Sequence, residues 1–380
     1  MVEEERQTAF YGEGVLVATA TVSVTPSGGG GSYLLTNISS VGFSWGRRNI
    51  LDEYSGLTAV AYGFNPSAWA SSPKVGDKVV MTVLADQSGS GTTSVTGWVS
   101  DYSVRYGQKT TIDTWELSIE GPFISGGRTY GSITTSAGAS VSLMGSSIAT
   151  LVNTVSGAPT FSVSGGSSTT SAQTITDTAA DMASLWCRTE GGTIVEYDQY
   201  AQLTDRNTMN ATTGTFTDVP GDGNFKYTEL VFRSAADNYS TKIVVQPSGL
   251  AAQTSGSGAY TQQVATINST TGEAANLAGY YKLQTDLSTS VPSSITYTDA
   301  VNPGNGLGVN DALQWANYPN GAVNITFRGS TYKTIAIGAD LSADASDFRV
   351  TLYLVSSLAD AFLVLNSSAL GILNTNKLGF

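Results

Sequence analysis

Apolar and polar residues alternate at every second position along much of the chain, as they do in β-strands that bury one face. Residues 112–119 (IDTWELSI) show the pattern most strictly. Further strands are expected at residues 14–24, 33–38, 57–62, 75–85 and 93–104, and then at 294–299, 323–328, 332–337 and 348–354. Because the two sets lie at opposite ends of the chain, the pattern predicts two small antiparallel β-barrels.

Helical periodicity is confined to the middle of the chain. Apolar residues spaced by three and four positions fall at residues 144–155. Two further helices follow capping signals, in which Thr178 precedes Asp181 by three positions and Thr270 precedes Glu273 in the same way. These patterns predict three helices between the two sets of strands.

The elements together predict a β-dominated α+β fold in three parts. Residues 1–122 form the first β-barrel domain, residues 123–285 a middle α/β segment, and residues 286–380 the second β-barrel with a C-terminal tail. Within the middle segment, residues 226–232 and 241–246 are expected to form a hairpin, because Asp-Asn between them favours a turn.

The second helix leads into the most distinctive stretch of the chain. It is followed by the four residues Thr189, Glu190, Gly191 and Gly192. The glycine pair supplies the positive φ that ends a helix at little cost. Residues 193–197 (TIVEY) then alternate like a strand, and residues 201–206 return and end at Arg206. This stretch predicts a helix followed by a β-hairpin.

A second stretch, residues 43–69, surrounds the strand at 57–62. Its turn and charge signals are Gly46, Arg47, Asp52, Gly56 and Pro66. We expect Arg47 or Arg48 to pair with Asp52 or Glu53 across one helical turn, as a surface ion pair at a strand–turn–strand corner. Gly56 then permits the reversal into the strand.

A third stretch is the C-terminal segment 362–380 (FLVLNSSALGILNTNKLGF), which contains Gly371 and Leu378. It is strongly apolar and carries one charged side chain, Lys377. Since an apolar tail would be sticky in solution, we expect it to pack on a neighbouring subunit or on its own barrel.

Composition excludes several classes of function. The chain has 380 residues, a net charge of −12 and no histidine, and its pI is about 4.4. An acidic surface repels phosphate, which disfavours wrapping around nucleic acid. The absence of histidine removes Ser-His-Asp triads and His-containing zinc sites, and the single Cys187 excludes an intrachain disulfide. No signal peptide and no membrane span are expected.

Carboxylates are the remaining candidates for catalysis. They form two groups, Asp101 with Glu116 and Glu120, and Asp340 with Asp344 and Asp347. Glycoside hydrolysis needs such a pair at roughly 5–9 Å, whereas carboxylates on strands and turns are most simply solvated. The acidic stretches 218–224 and 342–347 lack the spacing of a calcium loop, and no nucleotide fingerprint occurs. We therefore expect no catalytic residue, no metal and no cofactor.

Aromatic residues give one further expectation. Trp98 and Trp115 lie in alternating strands and are expected in the core. Trp45, Trp69, Tyr280 and Tyr281 are expected to be freer, at interfaces. A sugar-binding platform built from such residues stays open as an alternative.

Taken in their order along the chain, the three stretches resemble three motifs of the minor tail proteins of long-tailed (siphovirus-type) bacteriophages. This family is built like the baseplate hub of contractile phages. In that family a helix runs into Thr-Glu-Gly-Gly and a strand pair closed by Asp-Arg, as at Asp205–Arg206. The family also has a Gly-Arg step with an Asn-x-Pro exit, as at Gly46–Pro66, and a final Leu-Gly, as at Leu378–Gly379. Residues 63–65 (GFN) depart from the Asn-Arg-Asp type of turn usual in the family.

The resemblance implies a structural virion protein of the phage tail tip and not an enzyme, and the expected lack of a signal peptide predicts that it is made in the host cytoplasm. In such proteins two barrels per subunit form a homotrimeric, pseudo-sixfold hub ring at the tail tip, which extends the tail tube. The ring would hold the end of the tape-measure protein and anchor the distal tail protein and other tip proteins or fibres. Genome DNA would pass through without specific binding.

Two other interpretations of the sequence stay open. A glycan-binding β-sandwich adhesin for host-surface recognition would be monomeric and would expose aromatic residues in a groove. An acidic-residue cell-wall hydrolase would act on host polysaccharide. The mass of the purified protein separates the first from a trimeric hub, and activity on cell walls reveals the second.

Overall fold

β-strands dominate the computed structural model, which describes residues 19–66, 71–84, 92–107, 112–124, 130–135, 141–164, 173–190, 192–196, 198, 201–204, 211–265, 270–298, 321–344 and 348–357. The described strands are β1 (Thr19–Thr25), β2 (Tyr33–Leu35), β3 (Ile38–Gly46), β4 (Ser55–Phe64), β5 (Lys78–Leu84), β6 (Thr92–Arg105), β7 (Thr114–Glu120), β8 (Tyr130–Thr135), β9 (Ser162–Ser164), β10 (Gln173–Thr178), β11 (Thr193–Val195), β12 (Gln202–Thr204), β13 (Ala211–Thr217), β14 (Glu229–Val231), β15 (Lys242–Gln246), β16 (Gln253–Gly256), β17 (Thr261–Ala265), β18 (Ser294–Thr298), β19 (Gly321–Phe327), β20 (Ser330–Asp344) and β21 (Phe348–Ser356). The described helices are α1 (Val141–Asn153), α2 (Ala179–Glu190) and α3 (Thr271–Leu287).

Thirteen of the described strands form one continuous sheet. Its order is β14-β18-β21-β20-β3-β4-β7-β6-β5-β1-β2, with β19 also paired to β20 and β13 paired to β19. The neighbours along this path run antiparallel, whereas β13 and β19 run parallel. The strands expected for the two barrels therefore share a sheet.

Strand β20 joins the two ends of the chain. It is 15 residues long. Its first part, from Ser330 to Ile335, pairs with β19, and its second part, from Gly338 to Asp344, pairs with β3. Strand β21 lies along its other edge, with a β-bulge between Ala336 and Gly338. A bulge bends a strand, and here it falls where the partner changes from β19 to β3.

One hydrophobic core underlies this sheet. Alternate residues of β7 are buried, and Trp115, Leu117 and Ile119 point inward. They belong to the same buried cluster as Phe43 of β3 and Leu352 of β21. Apolar side chains from both sets of strands therefore leave water together, which stabilises the sheet as a unit.

The middle segment contributes two smaller cores. In the first, helices α1 and α2 bury Met144 and Trp186 against Leu203 of β12, in a cluster that also includes Ile133 of β8. In the second, helix α3 covers the three-stranded sheet β16-β15-β17 and buries Tyr281. Ile337 of β20 belongs to this second cluster. The middle segment thus packs its helices against the sheet, and its strands β13 and β14 belong to the sheet itself.

The predicted capping signals are confirmed. The Thr178 hydroxyl accepts a hydrogen bond from the amide of Asp181 at 3.1 Å, and the Thr270 hydroxyl accepts one from the amide of Glu273 at 3.2 Å. Each satisfies an amide that has no partner within the first turn of its helix. The hairpin expected after α2 is also present, with β11 and β12 antiparallel.

Other expectations are wrong. Residues 226–246 do not form a hairpin, because β14 pairs with β18 and β15 pairs with β16 and β17. Trp45 and Tyr281, expected to be freer, are 3% and 1% exposed, whereas Trp98 and Trp115 are buried as predicted. Tyr281 shares a helix face with Leu277 four residues earlier, which carries it into the core. Trp69, Asp347 and residues 362–380 lie outside the described part of the chain.

Candidate functional site

Four of the residues selected from the sequence lie at a buried polar junction between the sheet and the middle segment, namely Gly46, Arg47, Gly56 and Gly192. Arg47 follows the last residue of β3 and is 1% exposed. Its guanidinium donates from Nη1 to the Ile50 carbonyl at 3.2 Å and from Nη2 to the Gly192 carbonyl at 2.5 Å. Its backbone amide donates to the Ile337 carbonyl at 2.9 Å. Arg47 thereby connects β3, β20 and the start of β11.

Gly46 fixes the path of the chain into this junction. Its φ is +83°, a conformation that favours glycine. A Cβ atom at this position would lie 2.5 Å from Gly338 Cα and 2.5 Å from the Ile337 carbonyl oxygen. The close approach of β3 to β20 therefore depends on the missing side chain, and it places Arg47 beside Ile337.

Arg47 reaches from the sheet into the middle segment, and Glu196 reaches from the middle segment into the sheet. Glu196 directly follows β11 and is fully buried. Its carboxylate accepts hydrogen bonds from the Tyr54 hydroxyl, from the Leu57 amide at 2.5 Å and from the Phe123 amide at 3.5 Å. These donors belong to the segment before β4, to β4 itself and to the segment after β7. One side chain therefore bonds to β4 and to the segments that precede β4 and follow β7.

Burial dominates the electrostatics of this carboxylate. It raises the pKa of Glu196 to about 7, and the three hydrogen bonds oppose the rise. The same burial, together with the charge of Glu196, raises the pKa of Tyr54 well above its usual value. Tyr54 is therefore a hydrogen-bond donor at every physiological pH.

Tyr281 and Cys187 complete the junction on the side of the helices. The Tyr281 hydroxyl of α3 donates to the Arg188 carbonyl near the end of α2, where the last carbonyls of a helix lack intrahelical partners. Cys187 is buried, and burial raises the pKa of its thiol to about 12. A thiol of that pKa supplies almost no thiolate, the nucleophilic form, at neutral pH.

The expected surface ion pair of Arg47 is wrong. Asp52 instead accepts from the Asn49 amide at 3.0 Å, and Glu53 pairs with Arg188 at 3.0 Å. The neighbouring Arg48 is the exposed cation, and it pairs with Asp340 at 2.9 Å. Arg47 points inward because it follows the sharp turn at Gly46 and meets a carbonyl 145 residues away.

The remaining motif residues lie in several different places. Gly56 and Gly192 lie at the junction, where a Cβ on Gly56 would be 3.2 Å from Glu196 Oε2 and one on Gly192 would be 2.5 Å from the Thr204 carbonyl oxygen. Thr189 is buried and donates to the Leu185 carbonyl at 2.9 Å. Pro66 follows the end of β4, away from these contacts. Outside the described residues lie Gly191, Arg206, Gly371, Leu378 and the Glu190 side chain.

Glu196, Tyr54 and Tyr281 were missed by the sequence reasoning. Glu196 lies in the TIVEY stretch, where the two residues before it, Ile194 and Val195, are buried. An acidic residue that directly follows buried positions in a short strand is the one local signal that could have identified it. The partners of Glu196 lie 73 to 142 residues away, at distances along the chain that no spacing rule covers.

Among the carboxylates considered for catalysis, Asp340 is engaged in contacts within the sheet. Asp340 accepts from the Ser44 hydroxyl and the Tyr353 hydroxyl, each at 2.6 Å, besides its ion pair with Arg48. A hydrogen bond from Lys226 holds the pKa of Asp222 below its usual value. Across the described residues, no group of three or more acidic or cysteine side chains has the arrangement of a metal site. Among the described helices, none combines the length and apolar character needed to cross a membrane.

Comparison with solved structures places this architecture in a known class. The 43 kDa tail protein of prophage MuSo2 from Shewanella oneidensis is similar at a TM-score of 0.56 and 13% identity, over 89% of this chain and 99% of that chain. A tail protein from Neisseria meningitidis MC58 is similar at a TM-score of 0.57 and 10% identity, over 90% and 97% of the two chains. No protein-family model and no characterised protein matches the sequence itself.

The chain therefore has the fold of phage tail proteins. Its overall arrangement of strands and helices is similar to that of the tail proteins of prophage MuSo2 and of N. meningitidis. This confirms the resemblance to phage tail proteins that the sequence motifs indicate.

Proposed function

We propose that this protein is a structural component of a phage tail tip, a hub ring that extends the tail tube. One observation carries the proposal. The likeness to the MuSo2 tail protein covers 99% of that protein, so it includes the whole tail-protein fold and not one shared subdomain. The buried junction supports the same function, because a ring subunit needs its parts held in one orientation.

The ring is proposed as a homotrimer. Each subunit would contribute its two sets of strands as two barrel-like domains, residues 1–122 and 286–380, on either side of the middle segment 123–285. Strand β20 pairs with β3, so the two sets are rigidly linked within a subunit. A rigid link of this kind would let three subunits build a collar with approximate sixfold symmetry.

The partners follow from a position at the tail tip. We propose that the ring contacts the distal tail protein and the end of the tape-measure protein, and that it anchors further tip proteins or fibres. The net charge of −12 suits a channel through which DNA slides without adhering. The protein is accordingly proposed to reside in the virion and to lack enzymatic activity.

The oligomeric state of the purified full-length chain tests the proposal. Each chain has a mass of 39.4 kDa. Native mass spectrometry is expected to show a trimer, and electron microscopy is expected to show rings with a central channel. A protein that stays monomeric up to the concentrations used for microscopy, and that antibodies do not locate at the tail tip of phage particles, would contradict the hub function.

A further inference from the structure

The outer face of the sheet carries a surface pocket that the hub function does not use. The pocket has a volume of about 460 Å³, within the usual range for ligand sites. It lies where β3, β4, β7 and β6 run side by side, and its lining includes Ser39, Tyr62, Phe64, Ser103, Arg105 and Glu116. In the strand register, Tyr62 is opposite Glu116 and Glu116 is opposite Ser103. The lining side chains thus belong to neighbouring strands of one rigid sheet.

Two aromatic side chains form the apolar part of the pocket. Tyr62 and Phe64 are 44% and 42% exposed. They lie two residues apart on β4 and so point to the same face, with Cα atoms about 7 Å apart. Gly63 between them has no room for a side chain because the Trp115 ring lies against it, and Trp115 donates from Nε1 to the Phe64 carbonyl at 3.3 Å. The aromatic pair is therefore held in a fixed position.

Two charged side chains form the polar part. Among the described residues, neither the Arg105 nor the Glu116 side chain makes an ion pair or a hydrogen bond. The guanidinium offers donors and the carboxylate offers acceptors, on the same face as the aromatic rings. With one charge of each sign, the lining is electrically neutral.

These features select one class of ligand. A phosphate or an acidic peptide would need an excess of positive charge, which the pocket lacks. An extended peptide cannot add as a strand, because β3, β4, β7 and β6 are each paired on both sides. A pyranose ring has an apolar C–H face that lies flat on an aromatic ring, and its hydroxyls both donate and accept hydrogen bonds. We propose that this pocket binds a neutral saccharide.

An array of immobilised oligosaccharides, neutral and acidic, tests the proposal with the full-length protein. The wild-type protein is expected to bind at least one neutral glycan. The double variant Tyr62→Ala/Phe64→Ala should bind it at least tenfold more weakly, a loss of about 1.4 kcal/mol or more. Glu116→Gln should also weaken binding, because it removes a charged acceptor.

A second pair of exposed aromatic residues provides the matched control. Tyr239 and Tyr260 are 48% and 65% exposed and contact each other edge to face at 5.5 Å between ring centroids. Replacing both by alanine removes similar aromatic surface but should leave saccharide binding unchanged. Binding of acidic glycans alone, binding of none, or equal loss in the two double variants would overturn the proposal. These results would leave the trimer test of the hub function unaffected.

Discussion

Two ionisable side chains of opposite sign are buried at the junction, and each is bonded to neutral groups. Arg47 donates to backbone carbonyls, whereas Glu196 accepts from a hydroxyl and backbone amides. Burying a charge is costly unless hydrogen bonds replace its hydration. These contacts connect the sheet and the middle segment at positions where apolar packing alone would specify no unique orientation.

Glu196→Gln should change how stability depends on pH. The folded-state pKa of Glu196 is about 7, above the ordinary value of 4.5. Between pH 4.5 and 7 the folded protein therefore keeps a proton on Glu196 that the unfolded chain has released. As pH rises through this range, the free energy of unfolding falls because of this group. The contribution is roughly 3 kcal/mol. Glutamine keeps an acceptor without the charge, so urea unfolding of the variant should lack this part of the pH dependence.

The control for this variant is Glu53→Gln, because Glu53 is 75% exposed in its side chain. That substitution should leave the pH profile of the wild-type protein almost unchanged. If Glu196→Gln and the wild-type protein showed parallel profiles from pH 4.5 to 8, Glu196 would not titrate as its burial implies.

Arg47→Lys should destabilise the protein far more than Arg48→Lys. Lysine at position 47 has no planar fork, so it cannot bond the Ile50 and Gly192 carbonyls as arginine does, and a buried carbonyl loses its donor. The expected cost is about 2–4 kcal/mol in the free energy of unfolding. Arg48 is 55% exposed in its side chain, and the same change there should cost less than about 1 kcal/mol. Equal costs in denaturant titrations would contradict the buried role of Arg47.

At this scale the sequence identified positions but not their partners. Gly46, Arg47, Gly56 and Gly192 were selected as motif residues, and all four lie at the junction. The spacing of Arg47 from Asp52 and Glu53 suggests a local ion pair, whereas its shortest side-chain hydrogen bond joins it to a carbonyl 145 residues away. Local spacing describes a helix or a turn, but it carries no information about which carbonyl a distant segment presents.

Among the elements, the crossing of β3 and β20 depends most on a single residue. Gly46→Ala should destabilise the protein by more than about 3 kcal/mol, because it combines a disfavoured φ with a Cβ 2.5 Å from Gly338 Cα. Gly221→Ala is the matched control, since its φ is +73° and nothing lies within 4 Å of the added Cβ. That change should cost about 1 kcal/mol, the strain alone. Similar melting temperatures for both variants would contradict the packing role of Gly46.

The elements themselves were largely predictable, and their pairing was not. Capping signals predicted α2 and α3, and alternation predicted β7, because each of these signals depends only on residues close together in the sequence. The hairpin expected at residues 226–246 failed because alternation shows that a strand has a buried face without showing which strand lies beside it. Strand β14 pairs with β18, more than 60 residues later in the chain.

At the scale of the whole molecule, the two sets of strands form one sheet with one core. The sequence pattern predicted two separate barrels because about 170 residues lie between β7 and β18. Their union depends on β20, whose long span has room for two neighbours on one edge. The trimer expected of the hub function would therefore be assembled from subunits whose two strand-rich ends move together.

The pairing of β3 with β20 also has a consequence for synthesis on the ribosome. Ser44 and Asp340 bond to each other across 296 positions of the chain. Strand β3 is synthesised early, and the edge that pairs with β20 stays unpaired until about nine-tenths of the polypeptide has been translated. A nascent chain with an open strand edge is prone to aggregate. Efficient production of this protein thus favours rapid elongation or a chaperone that shields the waiting edge.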